Sequence, residues 1–492
     1  MRLLVGAAAL CLLILALTIL PKALEGDGSV VSGAAEEPVG EDAGSGVTEV
    51  VPSVEGRSGL LHSAEEVALW RQRAERGPYR VAGDVSANSP GDWSRIRRNA
   101  DRFLANPSAV RWQGPPQGDL STCVQRWDGE PPTGGSSELR DGAFVALVTG
   151  EERFAAAVKQ ELLWQASAPG TDFSNRSRWC TGVLMDINPG FIVTWWLAKL
   201  LLAYDYLGPE AFSAEERALL DEWFVEAARF FQVDLDASLS GLFADRGRSD
   251  QLSSSIENNP RCGGSYYLGS KPTCTLNRHY NNRRATIARF VGLVGVHQQD
   301  ESLKRSARLF TEEFLKYGVF PEGFVADFLR GNPDRPMHGF AYGANTVSPV
   351  LTIADAFARA GDASLYEYTT SVGAFGSEGG AKNLLFAARS FGQHVDGTYR
   401  RYAKDSREDP KYLIDGESSG TGFLHDVAFA QANVYYQDNY LRQAYTRSGS
   451  DMRGYPSRVA SNGPFPVWTG EGGIFPGVLF MYGQTEGTVQ PY

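Results

Sequence analysis

Apolar residues recur at helical spacing along most of the chain. Between residues 138 and 166, side chains such as Leu139, Ala143, Phe154 and Leu162 return every three or four positions, which is the period of a helix with one buried face. Runs of alternating β-branched residues bounded by turns are sparse. The same period predicts further helices over residues 191–206, 215–233, 284–296, 302–317, 346–360, 364–372, 381–391 and 425–445.

Helix boundaries support this interpretation. Ser63 and Ser213 are each followed three residues later by a glutamate, Glu66 and Glu216, and this spacing is typical of a capping box. The helices come in pairs joined by loops rich in Gly, Pro and Asp. We therefore predict an all-α protein, an (α/α) toroid or incomplete helical barrel, with a loop-rich C-terminal tail over residues 446–492 that wraps over the barrel.

The N-terminus has the pattern of an export signal. Arg2 precedes an unbroken run of apolar and small residues from 3 to 20, and residues 1–23 are predicted to be a signal peptide or a signal anchor. Residues 24–58 lack aromatic side chains and are predicted to be a disordered spacer before one helical domain over residues 59–492. A cleaved signal is favoured, which makes the protein secreted or periplasmic. A retained anchor is the alternative, with the domain outside the cytoplasm.

Four cysteines follow the signal, an even number that suits disulfides in an oxidising compartment. Three pairings are open, and the chain has no C-x-x-C pair, so a structural zinc site is not expected. We find no cluster of metal ligands and predict that no metal or cofactor is needed. The cysteines are Cys123, Cys180, Cys262 and Cys274.

The net charge and its distribution indicate which class of molecule the protein binds. The formal net charge of −11 makes a nucleic-acid partner improbable, because phosphate binding needs a basic surface. Residues 258–299 contain no Asp or Glu, which points to a site for an anionic substrate, although chance clustering is the alternative. The basic residues of this stretch are Arg261, Lys271, Arg278, Arg283, Arg284 and Arg289.

Within that stretch, amides and guanidinium groups stand together immediately before an apolar helix. The run from Arg278 to Arg284 includes His279, Asn281 and Asn282. Amide donors, a bidentate arginine and a helix N-terminus suit a carboxylate. The alternative is that one of the two asparagines is only an N-cap.

A second segment, residues 318–343, precedes a helix predicted to start near Thr346. It holds Arg330, His338 and Tyr342 in a Gly-rich stretch that we interpret as a loop. A histidine in such a loop is a candidate general base or a neutraliser of a carboxylate.

Together, residues 277–361 resemble the alginate lyase and chondroitin AC lyase-like superfamily of polysaccharide lyases, and are most similar to its mannuronate-type alginate lyase family. The family has a histidine where this chain has Arg283, which makes glucuronan an alternative substrate to alginate. The likeness rests on Asn281-Asn282-Arg283, Pro321-Glu322, Arg330-Gly331, His338, Tyr342 and the run from Pro349 to Ala354.

The resemblance implies cleavage of an acidic polysaccharide by β-elimination. Asn282, helped by Arg283 or His338, would neutralise the uronate carboxylate. Tyr342, polarised by Arg330, would act as base or acid, because a tyrosine of ordinary pKa, about 10, is a poor base at neutral pH. Further predicted substrate-binding residues are Arg278 and His279.

Two other functions stay open at this point. A glycoside hydrolase with the same architecture would use a pair of carboxylates, and the candidates are Glu322 with Asp327 or Asp141 with Asp186. A non-catalytic protein that binds acidic polysaccharide is the other, and membrane contact is expected only if the N-terminal segment is retained.

Overall fold

A computed structural model describes most of the predicted helical domain. The predicted signal, the spacer and the four cysteines lie outside the described residues. Within the described part of the chain, no helix has the length and apolar character to span a membrane, and no group of side chains is arranged to hold a metal ion. The described residues are 59–75, 93–114, 131–174, 188–240, 276, 279–321, 323, 325–327, 337–373, 376–395, 432–439, 441 and 474–482.

Helices make up most of this described part. A β-hairpin, β1 (Thr370–Gly373) with β2 (Gly376–Lys382), is antiparallel and pairs Val372 with Ser377. A π-helical turn covers Phe314–Gly318. The helices are α1 (Ala64–Glu75), α2 (Trp93–Ala105), α3 (Thr133–Thr149), α4 (Glu152–Ala166), α5 (Asn188–Leu207), α6 (Ala214–Ser240), α7 (Asn282–His297), α8 (Glu301–Glu313), α9 (Met337–Arg359), α10 (Ser364–Glu367), α11 (Leu384–Val395) and α12 (Val478–Tyr482).

The long helices form two rows. Helices α3, α5, α7 and α9 are neighbours in that order, and α2, α4, α6 and α8 pack against them as a second row. Helix α5 is buried along almost its whole described surface, as expected for a helix enclosed by neighbours. The all-α class and the (α/α) arrangement of paired helices are confirmed.

The predicted capping boxes are present. Glu66 accepts a hydrogen bond from the Ser63 N–H at 2.8 Å while the Ser63 hydroxyl accepts from the Glu66 N–H at 3.3 Å. Ser213 and Glu216 repeat the arrangement at 2.7 and 3.2 Å. These exchanges satisfy N–H groups that a helix start would otherwise leave without acceptors.

Several predicted helix boundaries were wrong. The helical stretch over residues 138–166 is two helices, because Gly150 takes a left-handed conformation with φ of 73° and ends α3; glycine adopts it without a steric penalty. The predicted helix over residues 364–372 ends at Glu367, and strand β1 begins at Thr370.

The hairpin also overlaps the start of the helix predicted over residues 381–391, which begins instead at Leu384. Lys382, at the end of β2, is buried, and its ammonium donates to the carbonyls of Lys316 at 2.6 Å and Val319 at 3.0 Å. A helix C-terminus exposes carbonyls that need donors, so this lysine satisfies the end of the π-helical turn. Of the helix predicted over residues 425–445, the structure describes a helical turn over residues 432–436.

The described part of the C-terminal tail packs on the helical domain, as predicted. The Trp70 indole N–H donates to the Met481 carbonyl at 2.9 Å, and the Tyr482 hydroxyl donates to the Leu61 carbonyl at 3.0 Å. Arg359, near the end of α9, holds Glu66 of α1 through two hydrogen bonds of 2.7 and 3.0 Å. Residues 474–482 of the tail and α1 therefore pack together, and Arg359 joins α1 to the end of α9.

Candidate functional site

The opposite end of α9 lies beside the start of α7. Asn281 is the N-cap of α7, and its side-chain oxygen accepts from the N–H groups of Arg283 at 3.1 Å and Arg284 at 3.2 Å. The capping role left open between two asparagines therefore falls to Asn281. Asn282 is the first residue of α7 and is 1% exposed.

A buried carboxylate joins this helix start to α9. Asp327 Oδ2 accepts from the Asn282 N–H at 2.8 Å and from the Thr346 hydroxyl at 2.8 Å. The same hydroxyl oxygen lies 2.9 Å from the Tyr342 carbonyl oxygen. A negative charge at a helix N-terminus is favourable, so Asp327 both stabilises the start of α7 and fixes it to the third turn of α9.

Helix α9 starts earlier than predicted. It begins at Met337, so His338 and Tyr342 lie in its first two turns, and the prediction that they occupy a loop was wrong. Gly339 and Gly343 have low helix propensity, which favoured a loop in the sequence. Packing of α9 against α7 and the hydrogen bond from Thr346 to Asp327 stabilise this helix start despite the low propensity of the two glycines.

The predicted site residues divide into two groups. Asn282 and Tyr342 come to neighbouring helix starts that are connected through Asp327 and Thr346. The backbone of His338 lies one turn before Tyr342, and residues four apart share a helix face. Tyr342 is half-buried, as are Arg283 and His279 near the start of α7. Predicted site residues outside the described part of the chain are Arg278 and Arg330.

Two of the carboxylates considered for a hydrolase, Asp141 and Asp327, form hydrogen bonds that stabilise the fold. Asp141 is buried and accepts from the side chain of Asn99 at 2.6 Å and from Arg140 at 2.6 and 3.0 Å. Asp327 accepts hydrogen bonds from Asn282 of α7 and Thr346 of α9. Their proposed partners, Asp186 and Glu322, lie outside the described residues.

The sequence did not reveal Asp327 as an organiser of the site. Its position between two motifs and its acidic side chain suggested only a catalytic acid. Nothing in a linear pattern shows that a backbone N–H 45 residues earlier in the chain is its donor. The sequence did contain one indication: the start of the predicted helix is rich in basic residues. A buried carboxylate is favoured at such a helix N-terminus.

Part of the basic stretch is buried along α7. Arg284 is 4% exposed and Arg289 is 1% exposed. Burial lowers the pKa of the Arg289 guanidinium to about 9, because a charged group loses its hydration in the interior. Arg289 therefore remains cationic at neutral pH.

The described part of the chain is mostly helical, with paired helices, one β-hairpin and a polar site where α7 and α9 begin. No protein-family model matches it, and no curated protein matches its sequence. Among solved structures, alginate lyase A1-III from Sphingomonas species A1 is 14% identical, with a TM-score of 0.42 over 73% of this chain and 91% of that chain.

Two variants of that alginate lyase, each complexed with a tetrasaccharide, show similar values. One is 14% identical with a TM-score of 0.42 and covers 74% of this chain and 95% of its own. The other is 15% identical with the same TM-score and covers 75% and 94%. Similarity at this level identifies neither a substrate nor a catalytic residue in the present chain.

Proposed function

We propose that the protein is a polysaccharide lyase that cleaves a uronate-containing polymer, alginate or glucuronan, by β-elimination. The observation that carries the proposal is the connection through Asp327, which holds Asn282 and Tyr342 on neighbouring helix starts. The surrounding stretch of residues 258–299 lacks acidic side chains in a chain of net charge −11. An anionic sugar would be attracted to such a stretch. Export from the cytoplasm, with or without a retained anchor, is part of the same proposal.

In this reaction the C5 proton of a uronate is removed, the C4–O4 bond breaks, and a double bond forms between C4 and C5. Asn282, with Arg283 or His338, would hold the carboxylate and stabilise the negative charge that develops on it. Tyr342 would take the C5 proton or protonate the leaving O4, and His338 is the alternative base. Arg330 would supply the positive charge that keeps the Tyr342 oxygen reactive. No redox step or co-reactant is needed.

A panel of polymers tests this function. The purified protein is incubated with alginate, glucuronan and glycosaminoglycans, and the ultraviolet absorbance of unsaturated ends is followed. At least one uronate polymer should give rising absorbance, and Tyr342→Phe should remove it because the phenyl ring cannot transfer a proton.

Tyr436→Phe is a matched control. The Tyr436 hydroxyl donates to the Tyr366 carbonyl at 2.9 Å, so this variant also loses one tyrosine hydrogen bond but should retain turnover. Shortened polymer without unsaturated ends would indicate hydrolysis and contradict the proposal. Normal turnover by Tyr342→Phe would reject the role of Tyr342.

A further inference from the structure

Arg289 occupies the same face of α7 as Asn282. Asn282, Thr286 and Arg289 follow one another at spacings of four and three residues, and such residues lie above one another on a helix. All three are buried, with exposures of 1%, 3% and 1%. The polar start of α7 therefore continues inward along one buried stripe.

Other helices cover the remaining faces of α7. Ile287 lies against Gly190 of α5, Gly292 lies against Ala307 of α8, and Gly295 lies against Leu303 of α8. Gly292 also lies against Ile353 of α9 and is three residues from Arg289, so the face of Asn282 and Arg289 borders the contacts with α8 and α9 and is turned away from α5.

The buried charge of Arg289 lacks a partner among the described residues. Its Nε atom has no hydrogen-bond partner, and burial is the single cause that shifts its pKa. Arg140 differs, because Asp141 pairs with it at 2.6 Å. Arg359 likewise has Glu66 at 2.7 Å. A buried cation without a counter-charge is costly, so this guanidinium has unused capacity to bind an anion.

The direction of the side chain brings it toward the helix start. Side chains in an α-helix lean toward its N-terminus, and Asn282 lies about 10 Å from Arg289 along the axis. An extended arginine covers a large part of that distance. An Arg289 side chain extended in this direction would bring its guanidinium toward the level at which, under the proposed function, Asn282 holds a sugar carboxylate.

We infer that Arg289 is a substrate-binding residue that pairs with a carboxylate of the acidic sugar beneath Asn282. The inference rests on the proposed function and adds a second, interior contact to it. An arginine fork can bind both oxygens of a carboxylate, and the buried surroundings strengthen the pair because water does not screen it. A neutral sugar would leave the cation unpaired, so Arg289 would also select for acidic substrates.

Thermal-shift titrations with sodium glucuronate and sodium mannuronate test the inference, because these monosaccharides have no glycosidic bond to cleave. At least one of them should raise the Tm of the wild-type chain, and glucose should not. Arg289→Met should weaken uronate binding by about 10- to 100-fold, as expected for hydrogen bonds to a charged group. Arg289→Lys should retain part of the affinity, because it keeps the charge without the fork.

The Tm without ligand separates binding from a structural role. Arg289→Met should match or exceed the wild-type Tm, because it removes a buried charge that has no partner. The matched control is Arg111→Met, which breaks the ion pair with Glu161 at 2.7 Å and should leave uronate binding unchanged. A lower Tm or loss of folding in Arg289→Met, or unchanged uronate binding, would overturn the inference.

Polymer cleavage keeps the two proposals distinct. Unsaturated product formed by Arg289→Met with an unchanged KM would leave the lyase function in place and overturn the role of Arg289. Arg289-dependent uronate binding without unsaturated product from any polymer would support the site and reject the lyase function.

Discussion

Replacement of Asp327 should disturb stability and activity together. Asp327→Ala leaves two buried donors, the Asn282 N–H and the Thr346 hydroxyl, without their carboxylate acceptor. An unsatisfied buried group costs about 1–3 kcal/mol, and loss of the favourable charge at the helix start adds about 0.3–1 kcal/mol. Because the Thr346 hydroxyl can still bond the Tyr342 carbonyl, we expect a net loss of roughly 2–4 kcal/mol.

Asp327→Asn is the milder test. It keeps the shape and one acceptor oxygen but removes the charge, so the loss should be about 1–2 kcal/mol. If the carboxylate aligns α7 with α9, turnover should fall more than stability, because a misplacement of about 1 Å can reduce a rate by roughly 10²-fold. Urea denaturation measures the free energy of unfolding, and absorbance of unsaturated product measures turnover.

Asp300→Ala provides the comparison. Asp300 caps α8 by accepting from the N–H groups of Ser302 at 2.9 Å and Leu303 at 3.2 Å, but it does not join α7 to α9. Its removal should cost about 1 kcal/mol and leave turnover unchanged. Equal losses of activity in the Asp327 and Asp300 variants would refute the alignment argument, as would an Asp327→Ala protein of wild-type stability.

Three further substitutions probe the helical domain. Arg359→Met leaves the buried carboxylates of Glu66 and Asp355 without their shared cation, and should lower the free energy of unfolding by about 3–5 kcal/mol in urea; a change below about 1 kcal/mol would contradict this. A hydrogen bond from Arg97 lowers the pKa of Glu151 to about 2. The Arg97–Glu151 pair therefore stabilises the fold above the ordinary glutamate pKa of 4.5, and this stabilisation is lost as the pH falls toward 2. Glu151→Gln should therefore reduce the acid dependence of stability between those pH values, by less than about 1 kcal/mol because the pair is partly exposed, and an unaltered acid titration would argue against it. Asn281→Ala should cost about 1 kcal/mol, seen as a lower Tm, whereas Asn281→Asp should not.

Local chemistry allowed much of the fold to be predicted. The helices around Phe144 and Phe290 followed from the spacing of their apolar residues, since a helix that buries one face must repeat every three or four positions. The two capping boxes followed from Ser-x-x-Glu, because both partners lie within one helical turn. Predictions were wrong where a boundary depended on contacts between distant segments, as at β1 and at the start of α9.

The sequence by itself determined the helical class, the capping residues and the stretch free of acidic side chains, because each depends on neighbours along the chain. Only the tertiary structure decided that Asp327 joins α7 to α9 and that Arg289 is enclosed without a described counter-charge. Both depend on which helices pack together. A sequence does not show whether a charged side chain will be hydrated, paired with an opposite charge, or buried without a partner. The free energy of the charged group differs among these three environments by several kcal/mol.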